Sequence, residues 1–226
     1  MKICAIIPAC NEVETVGEIV RQTKEYVTDI FVVDNCSNDE TAEVARQNDA
    51  RIIPHPDKRG YGAAQYAGHM FAIQNGYDYI LQLDADGQHD PKYIPKLLEA
   101  MQNGNYDIVL GSRFLTDSDK NLSFVRRIGI IFFSRVVSFL GRTTITDVTS
   151  GFKIYKVSSL EILSKPSDIN PAVEQMMEMA KKGMKIGEVP IEMPARCNGK
   201  SHLNLIRFAM YPFRGLWAVT KVMLFR

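Results

Sequence analysis

Along the first 114 residues, apolar runs alternate with segments whose apolar positions recur at helical spacing. KICAIIP reads as a first strand, after which Val16, Ile19, Val20, Thr23 and Val27 repeat along one face of a helix. DIFVVDN is a second strand, followed by a short helix near residues 40–48. ARIIPH is a third strand, and GAAQYAGHMFAIQNG reads as a helix ending at Gly76. DYILQLDAD is a fourth strand, PKYIPKLLEAMQNG a helix opened by a proline and closed by a glycine, and DIVLGSRF a fifth strand. Strands that are apolar throughout and separated by helices predict an α/β protein with a parallel sheet covered on both faces. Beyond residue 114 the pattern loosens. FVRRIGIIFFSRVVSFLG and NPAVEQMMEMAKKGM read as helices and TDVTSGFKIY as a loop with a strand. KIGEVPIEMPAR reads as a strand whose Pro190 and Pro194 point to a sheet edge.

The polar clusters PACNE, DNCSND and DADGQHD follow strands one, two and four. In parallel α/β sheets, ligands bind outside those carboxyl ends. Asp84 and Asp86 lie two apart, so an extended backbone would aim both carboxylates to one face. Two anions held that close call for a cation, and Asp84, Asp86 and the amide oxygen of Gln88 offer an all-oxygen set to Mg2+ or Mn2+. A solvated turn is the alternative, because Asp, Gly and Pro are ordinary turn residues. Asn11, Glu12, Asp34 and Asn35 supply amides and carboxylates for the base and ribose hydroxyls of a nucleotide, or else some of them cap the helices that follow. Gly62 and its small neighbours in KRGYGAAQYAG either let a helix N-terminus approach a ligand or let that helix pack closely on the sheet. His55, His69 and His89 read as turn residues bonded to backbone.

The net charge of +1 conceals an asymmetry. Residues 1–119 carry ten Lys and Arg against nineteen Asp and Glu, and residues 120–226 carry seventeen against seven. An acidic, metal-using half beside a half that meets an anion is the implied arrangement. The four cysteines have no paired spacing that would indicate zinc or a disulfide framework, which suits a cytosolic protein. Met1 runs directly into the first strand without a signal-peptide pattern, and IGIIFFSRVVSFLG falls short of the ~20 apolar residues of a spanning helix. The basic half holds no recognisable nucleic-acid motif. RFAMYPFRGLWAVTKVMLFR, basic and aromatic without acids, reads as an amphipathic helix that either packs or lies on an anionic membrane.

IIPACNE, VVDNCSNDET, RGYGAAQYAG, LQLDADGQHDP, GSRF, TDVTSGFKIY and EVPIEMPARCNGKSH occur in the order of family 2 glycosyltransferases with the GT-A fold. The chain most resembles the branch that glycosylates dolichyl or polyprenyl phosphate. That resemblance implies a Rossmann-like, mostly parallel sheet in residues 1–204, with residues 205–226 as a basic amphipathic tail. It implies that Pro8, Asn11, Glu12, Asp34, Asn35 and Gly62 line the nucleotide-sugar site. Asp84, Asp86 and Gln88 would hold the metal, and Arg196 and Lys200 would clamp the diphosphate. Asp86, Arg113 and Arg127 take the catalytic roles, with Arg113, Arg127, Ser134 and Ser150 meeting the acceptor phosphate. The implied setting is the cytoplasmic membrane face, with a membrane protein or a second copy as a possible partner. Asn35 replaces a frequent acid of the family, and Tyr61 stands where lysine or leucine is common. Inverting transfer to a lipid phosphate needs cations at the acceptor, whereas transfer to a saccharide hydroxyl needs a base, for which Asp147 and Glu174 are the candidates. Residues 120–156 favour the former, with seven Lys and Arg and one acid, Asp147.

Overall fold

The structure is a computed structural model that describes residues 2–54, 60–165, 170–194 and 211–226. In chain order its elements are β1 (Ile3–Ala9), α1 (Val16–Thr23), β2 (Asp29–Asp34), α2 (Thr41–Gln47), β3 (Arg51–Pro54), α3 (Tyr61–Gln74), β4 (Tyr79–Gln82) and α4 (Ile94–Gly104). There follow β5 (Ile108–Ser112), α5 (Phe124–Gly141), β6 (Lys153–Lys156), α6 (Val157–Leu160), α7 (Pro171–Lys181), β7 (Ile186–Pro190) and α8 (Tyr211–Phe225). Short 3₁₀ turns occupy Pro91–Tyr93, Arg113–Leu115 and Asp117–Asn121.

The seven strands form one sheet in the order β3-β2-β1-β4-β6-β5-β7. All are parallel except β6, which runs antiparallel between β4 and β5. The fifth strand therefore does not pair with the fourth, as a simple reading of alternating strands and helices suggests. β7 is an edge strand, as expected, but it ends at Pro190, so Pro194 lies beyond it.

Alternate residues of each strand feed two cores. Ile6, Phe31, Ile80, Leu110 and Tyr155 face one side, with Phe133 of α5, Met176 and Met177 of α7 and Val222 of α8. Ile7, Val32, Leu81, Val109 and Ile154 face the other, with Val16 and Ile19 of α1 and Ile94 and Leu97 of α4. The small residues of α3 serve close packing on the sheet: a Cβ at Gly68 would lie 2.3 Å from Ile6 Cγ2. The helix after β4 is regular only from Ile94. Asp90 caps the preceding 3₁₀ turn by accepting a hydrogen bond from the Lys92 amide.

α8 packs one face on α7, with Ala218, Val219 and Val222 buried. Its Lys221 reaches the fully buried Glu174 at 3.1 Å, and Arg226 bonds Glu174 at 2.7 Å and Glu178 at 3.1 Å. The opposite face leaves Phe213, Leu216, Trp217 and Leu224 exposed. None of the described helices is long and apolar enough to cross a membrane.

Candidate functional site

The ends of β1 and β2 lie side by side in register, Ala9 opposite Asp34, and the polar clusters that follow tie together. Asn11 adopts a left-handed backbone (φ 58°), and its Oδ1 accepts from the Asn38 amide at 2.7 Å. Its own amide donates to Ser37 Oγ at 3.0 Å, and the Glu12 amide donates to Thr41 Oγ1 at 2.9 Å. Asn11 thus bridges two loops and does not cap α1. Asp34 Oδ1 accepts from the Ser37 amide at 3.2 Å. Asn35 is 8% exposed, and its Oδ1 has no hydrogen-bond partner among the described residues. Pro8 is buried in β1, and Gly62 is buried in the first turn of α3.

β4 ends at Gln82, so Asp84 and Asp86 do not share a strand face. The chain turns instead at Gly87, whose φ of +77° suits glycine. Asp86 Oδ1 accepts from the Gln88 amide at 3.1 Å, and Gln88 Nε2 donates to the Pro194 carbonyl at 3.1 Å. Thr15 Oγ1 secures the same turn by donating to the Ala85 carbonyl at 2.6 Å. The turn leaves Asp84, Asp86 and Gln88 half-buried, tied by Thr15 to the segment after β1.

Asp84 is held on every side. Its amide donates to His89 Nδ1 at 2.8 Å, so the neutral imidazole carries its proton on Nε2. Tyr61 donates its hydroxyl to Asp84 Oδ1. Desolvation of the hydroxyl end first, and then the Asp84 charge, raise that phenol well above its ordinary pKa, so it stays a donor although the residue as a whole is 41% exposed. A Cβ on Gly151 would lie 2.5 Å from Asp84 Oδ2 and 2.8 Å from His89 Cε1. Only a glycine leaves the carboxylate its place.

His69 differs from the backbone-bonded turn residue that the sequence suggests. It lies within α3, buried, with Nε2 2.9 Å from Gln82 Oε1, and burial lowers its pKa to about 4. His55 lies outside the described residues, as do Arg196 and Lys200.

A second cluster surrounds the loop before β6. Arg113 is buried and forks onto fully buried Asp147, Nε to Oδ2 at 2.6 Å and Nη2 to Oδ1 at 2.7 Å. Glu188 of β7 accepts from the Thr146 and Asp147 amides. Buried Ser134 donates to the Thr146 carbonyl at 3.0 Å and accepts from the Val148 amide at 3.1 Å. Buried Ser150 accepts from the Phe152 amide at 3.3 Å. Three of the four residues expected at an acceptor phosphate are therefore engaged in holding this loop. Arg127 differs: its side chain is 43% exposed and pairs with Asp119. The pair is within ion-pair reach, although Nε is not aligned for a hydrogen bond.

Sequence reading gave no role to Lys153 or Glu188. Lys153 is buried in β6 opposite Gln82, and desolvation lowers its pKa to about 8 against the opposing pull of Asp84 and Asp147. A charged residue inside the apolar run GFKIY was the available signal.

Hard cations take oxygen ligands, and Mg2+ or Mn2+ commonly sits on one or two carboxylates plus substrate phosphates and water. Asp84, Asp86 and the Gln88 amide oxygen suit that mode, and the cradle at Gly151 preserves the first carboxylate. No group of three or more His, Cys, Asp or Glu among the described residues forms a metal cage.

Known proteins share this architecture. A mannosyl-3-phosphoglycerate synthase from Rubrobacter xylanophilus superposes with a TM-score of 0.78 at 18% identity, covering 98% of this chain and 73% of that one. The glucosyl-3-phosphoglycerate synthase from Mycobacterium tuberculosis, solved with Mn2+, UDP and glucosyl-3-phosphoglycerate, gives a TM-score of 0.76 at 16% identity, covering 98% and 79%. In sequence, the dolichol-phosphate mannosyltransferase of Pyrococcus furiosus is 33% identical over 219 residues, 90% of this chain and 60% of that protein. The undecaprenyl-phosphate mannosyltransferase of Micrococcus luteus is 28% identical over 223 residues, 90% and 88% of the two chains. An uncharacterized protein of Methanocaldococcus jannaschii is 33% identical over 196 residues, 84% and 81%. The Glycosyl transferase family 2 model matches residues 4–163, and with the GT-A sheet and the acidic turn after β4 this establishes the chain as a member of that family of glycosyltransferases.

Proposed function

We propose that this glycosyltransferase moves a sugar from a nucleoside-diphosphate donor to a polyprenyl or dolichyl phosphate, with inversion, at a membrane surface. The observation that carries the choice of acceptor concerns the two acids available as a general base. Asp147 and Glu174 are both fully buried in ion pairs, with Arg113 and with Lys221 and Arg226. A saccharide hydroxyl needs a base to take its proton, whereas a lipid phosphate attacks as an anion and needs positioning by cations. Relatives named for lipid-phosphate transfer support the same choice.

On this reading Pro8, Asn11, Glu12, Asp34, Asn35 and Gly62 line the nucleoside and sugar site. Asp84, Asp86 and Gln88 hold Mg2+ or Mn2+, which when bound neutralises charge developing on the diphosphate. Arg196 and Lys200 meet the diphosphate from the segment outside the described residues. The lipid phosphate oxygen forms the new bond to the anomeric carbon as the bond to the diphosphate breaks, and the electron pair leaves with the nucleoside diphosphate. Arg127 exchanges Asp119 for the incoming phosphate. Arg113, through Asp147, keeps the 146–150 loop in shape beneath it, and Ser134 and Ser150 contribute to the same loop.

The membrane contact is the apolar outer face of α5 and α8, where Ile128, Phe132, Phe139, Phe213, Trp217 and Leu224 are exposed among arginines and lysines. Arg127→Ala tests the acceptor assignment. A charge-assisted hydrogen bond contributes ~1.5 to 3 kcal/mol, so acceptor kcat/KM should fall about tenfold to hundredfold. Affinity for the nucleoside diphosphate with metal, measured by calorimetry, should stay unchanged. Loss of donor affinity with an unchanged acceptor KM would move Arg127 to the diphosphate site.

A further inference from the structure

We propose, on the metal assignment made above, that Tyr61 is a positioning residue of the donor site: its phenol fixes the Asp84 carboxylate in the orientation that receives the divalent cation. Tyr61 is the first residue of α3, directly after Gly60, whose φ of +97° is open chiefly to glycine. That backbone turn sets the hydroxyl on Asp84 Oδ1 while the residue as a whole remains 41% exposed. An aromatic ring held for packing alone would be buried. Here the polar tip is the anchored part.

Among the described residues Tyr61 is the side chain hydrogen-bonded to the Asp84 carboxylate, and His89 Nδ1 lies 3.6 Å from the other oxygen. His89 fixes the backbone amide, and the empty Cβ position of Gly151 leaves just enough room for Oδ2. A carboxylate oxygen has two lone pairs, so a phenol on Oδ1 occupies one and leaves the other for a metal. Residues that hydrogen-bond a ligating carboxylate orient it, and their loss typically costs 10- to 100-fold in metal affinity. A leucine at this position would offer no donor. Lysine would hold the carboxylate only by adding positive charge beside the cation. A neutral phenol restrains the ligand without that repulsion.

The experiment titrates the full chain with Mn2+ and reads free Mn2+ by electron paramagnetic resonance, without nucleotide and with a nucleoside diphosphate. Tyr61→Phe should bind Mn2+ roughly 10- to 100-fold more weakly than wild type with an unchanged melting temperature. Tyr61→Lys should bind it more weakly still. Wild-type-like or tighter Mn2+ binding by Tyr61→Phe overturns the role given to Tyr61 while leaving the metal site standing. If wild type itself binds no Mn2+ and Asp86→Ala changes nothing, the metal assignment fails and Tyr61 fails with it.

Discussion

Gly151 lies in a loop, yet it is the residue that gives Asp84 its room. Gly151→Ala would push a methyl to 2.5 Å from Asp84 Oδ2, and crowding of that kind costs about 1 to 3 kcal/mol where the neighbours cannot yield. We expect the variant to lose Mn2+ affinity more than it loses melting temperature, and wild-type affinity would show that the carboxylate relaxes freely. His69 carries a pH dependence. Its pKa falls from an ordinary 6.5 to about 4 because burial disfavours the charged ring. The unfolded chain therefore binds more protons between those values, so the contribution is complete above pH 6.5 and is lost progressively as pH falls toward 4. The loss amounts to about 3 kcal/mol, and His69→Gln should flatten that limb of a urea-denaturation profile measured against pH. An unchanged limb would assign the acid sensitivity elsewhere. DADGQ was legible as an acidic turn after a strand because its residues are local in sequence. The strand-face argument for it was not sound, because β4 stops at Gln82 and Gly87 makes the turn. Lys153 and Glu188 escaped notice because their partners lie in other elements.

At the scale of elements, periodicity located the strands and helices well, α5 in particular, whose span coincides with the apolar segment read from the chain. It could not show the direction of β6. Four residues, KIYK, carry no orientation, and their pairing with β4 and β5 is set by non-local contacts. The same limit merged two arginines that the fold separates. Arg113→Met would leave Asp147 buried without its guanidinium, a loss of about 3 to 5 kcal/mol, or roughly 6 to 20 °C in melting temperature for a domain of this size. Arg127→Ala removes a partly exposed guanidinium from the largely buried Asp119 and should cost about 1 to 3 kcal/mol, less than Arg113→Met. Equal melting temperatures for the two variants would contradict this division between a loop brace and an acceptor contact.

For the whole molecule, the acidic half seen in the sequence contains the loops after β1, β2 and β4, proposed above as the donor site, and the basic half contains α5 and α8. α8 is both packed and exposed, so the two readings of the tail are not exclusive. Its inner face carries Val219 and Val222 into the core, and its outer face leaves Trp217 and Leu224 in solvent. Trp217→Ser with Leu224→Ser should therefore keep the fold and weaken flotation with anionic liposomes. Undiminished flotation would remove α8 from the membrane contact. The central claim is tested most directly by incubating the protein with radiolabelled UDP- and GDP-sugars, polyprenyl phosphate and Mg2+ or Mn2+, then partitioning the products. The account predicts label in the organic phase from one of the donors, absent without lipid phosphate and absent in Asp86→Ala. Label that stays in the aqueous phase with every donor, yet joins a saccharide when one is supplied, would contradict it.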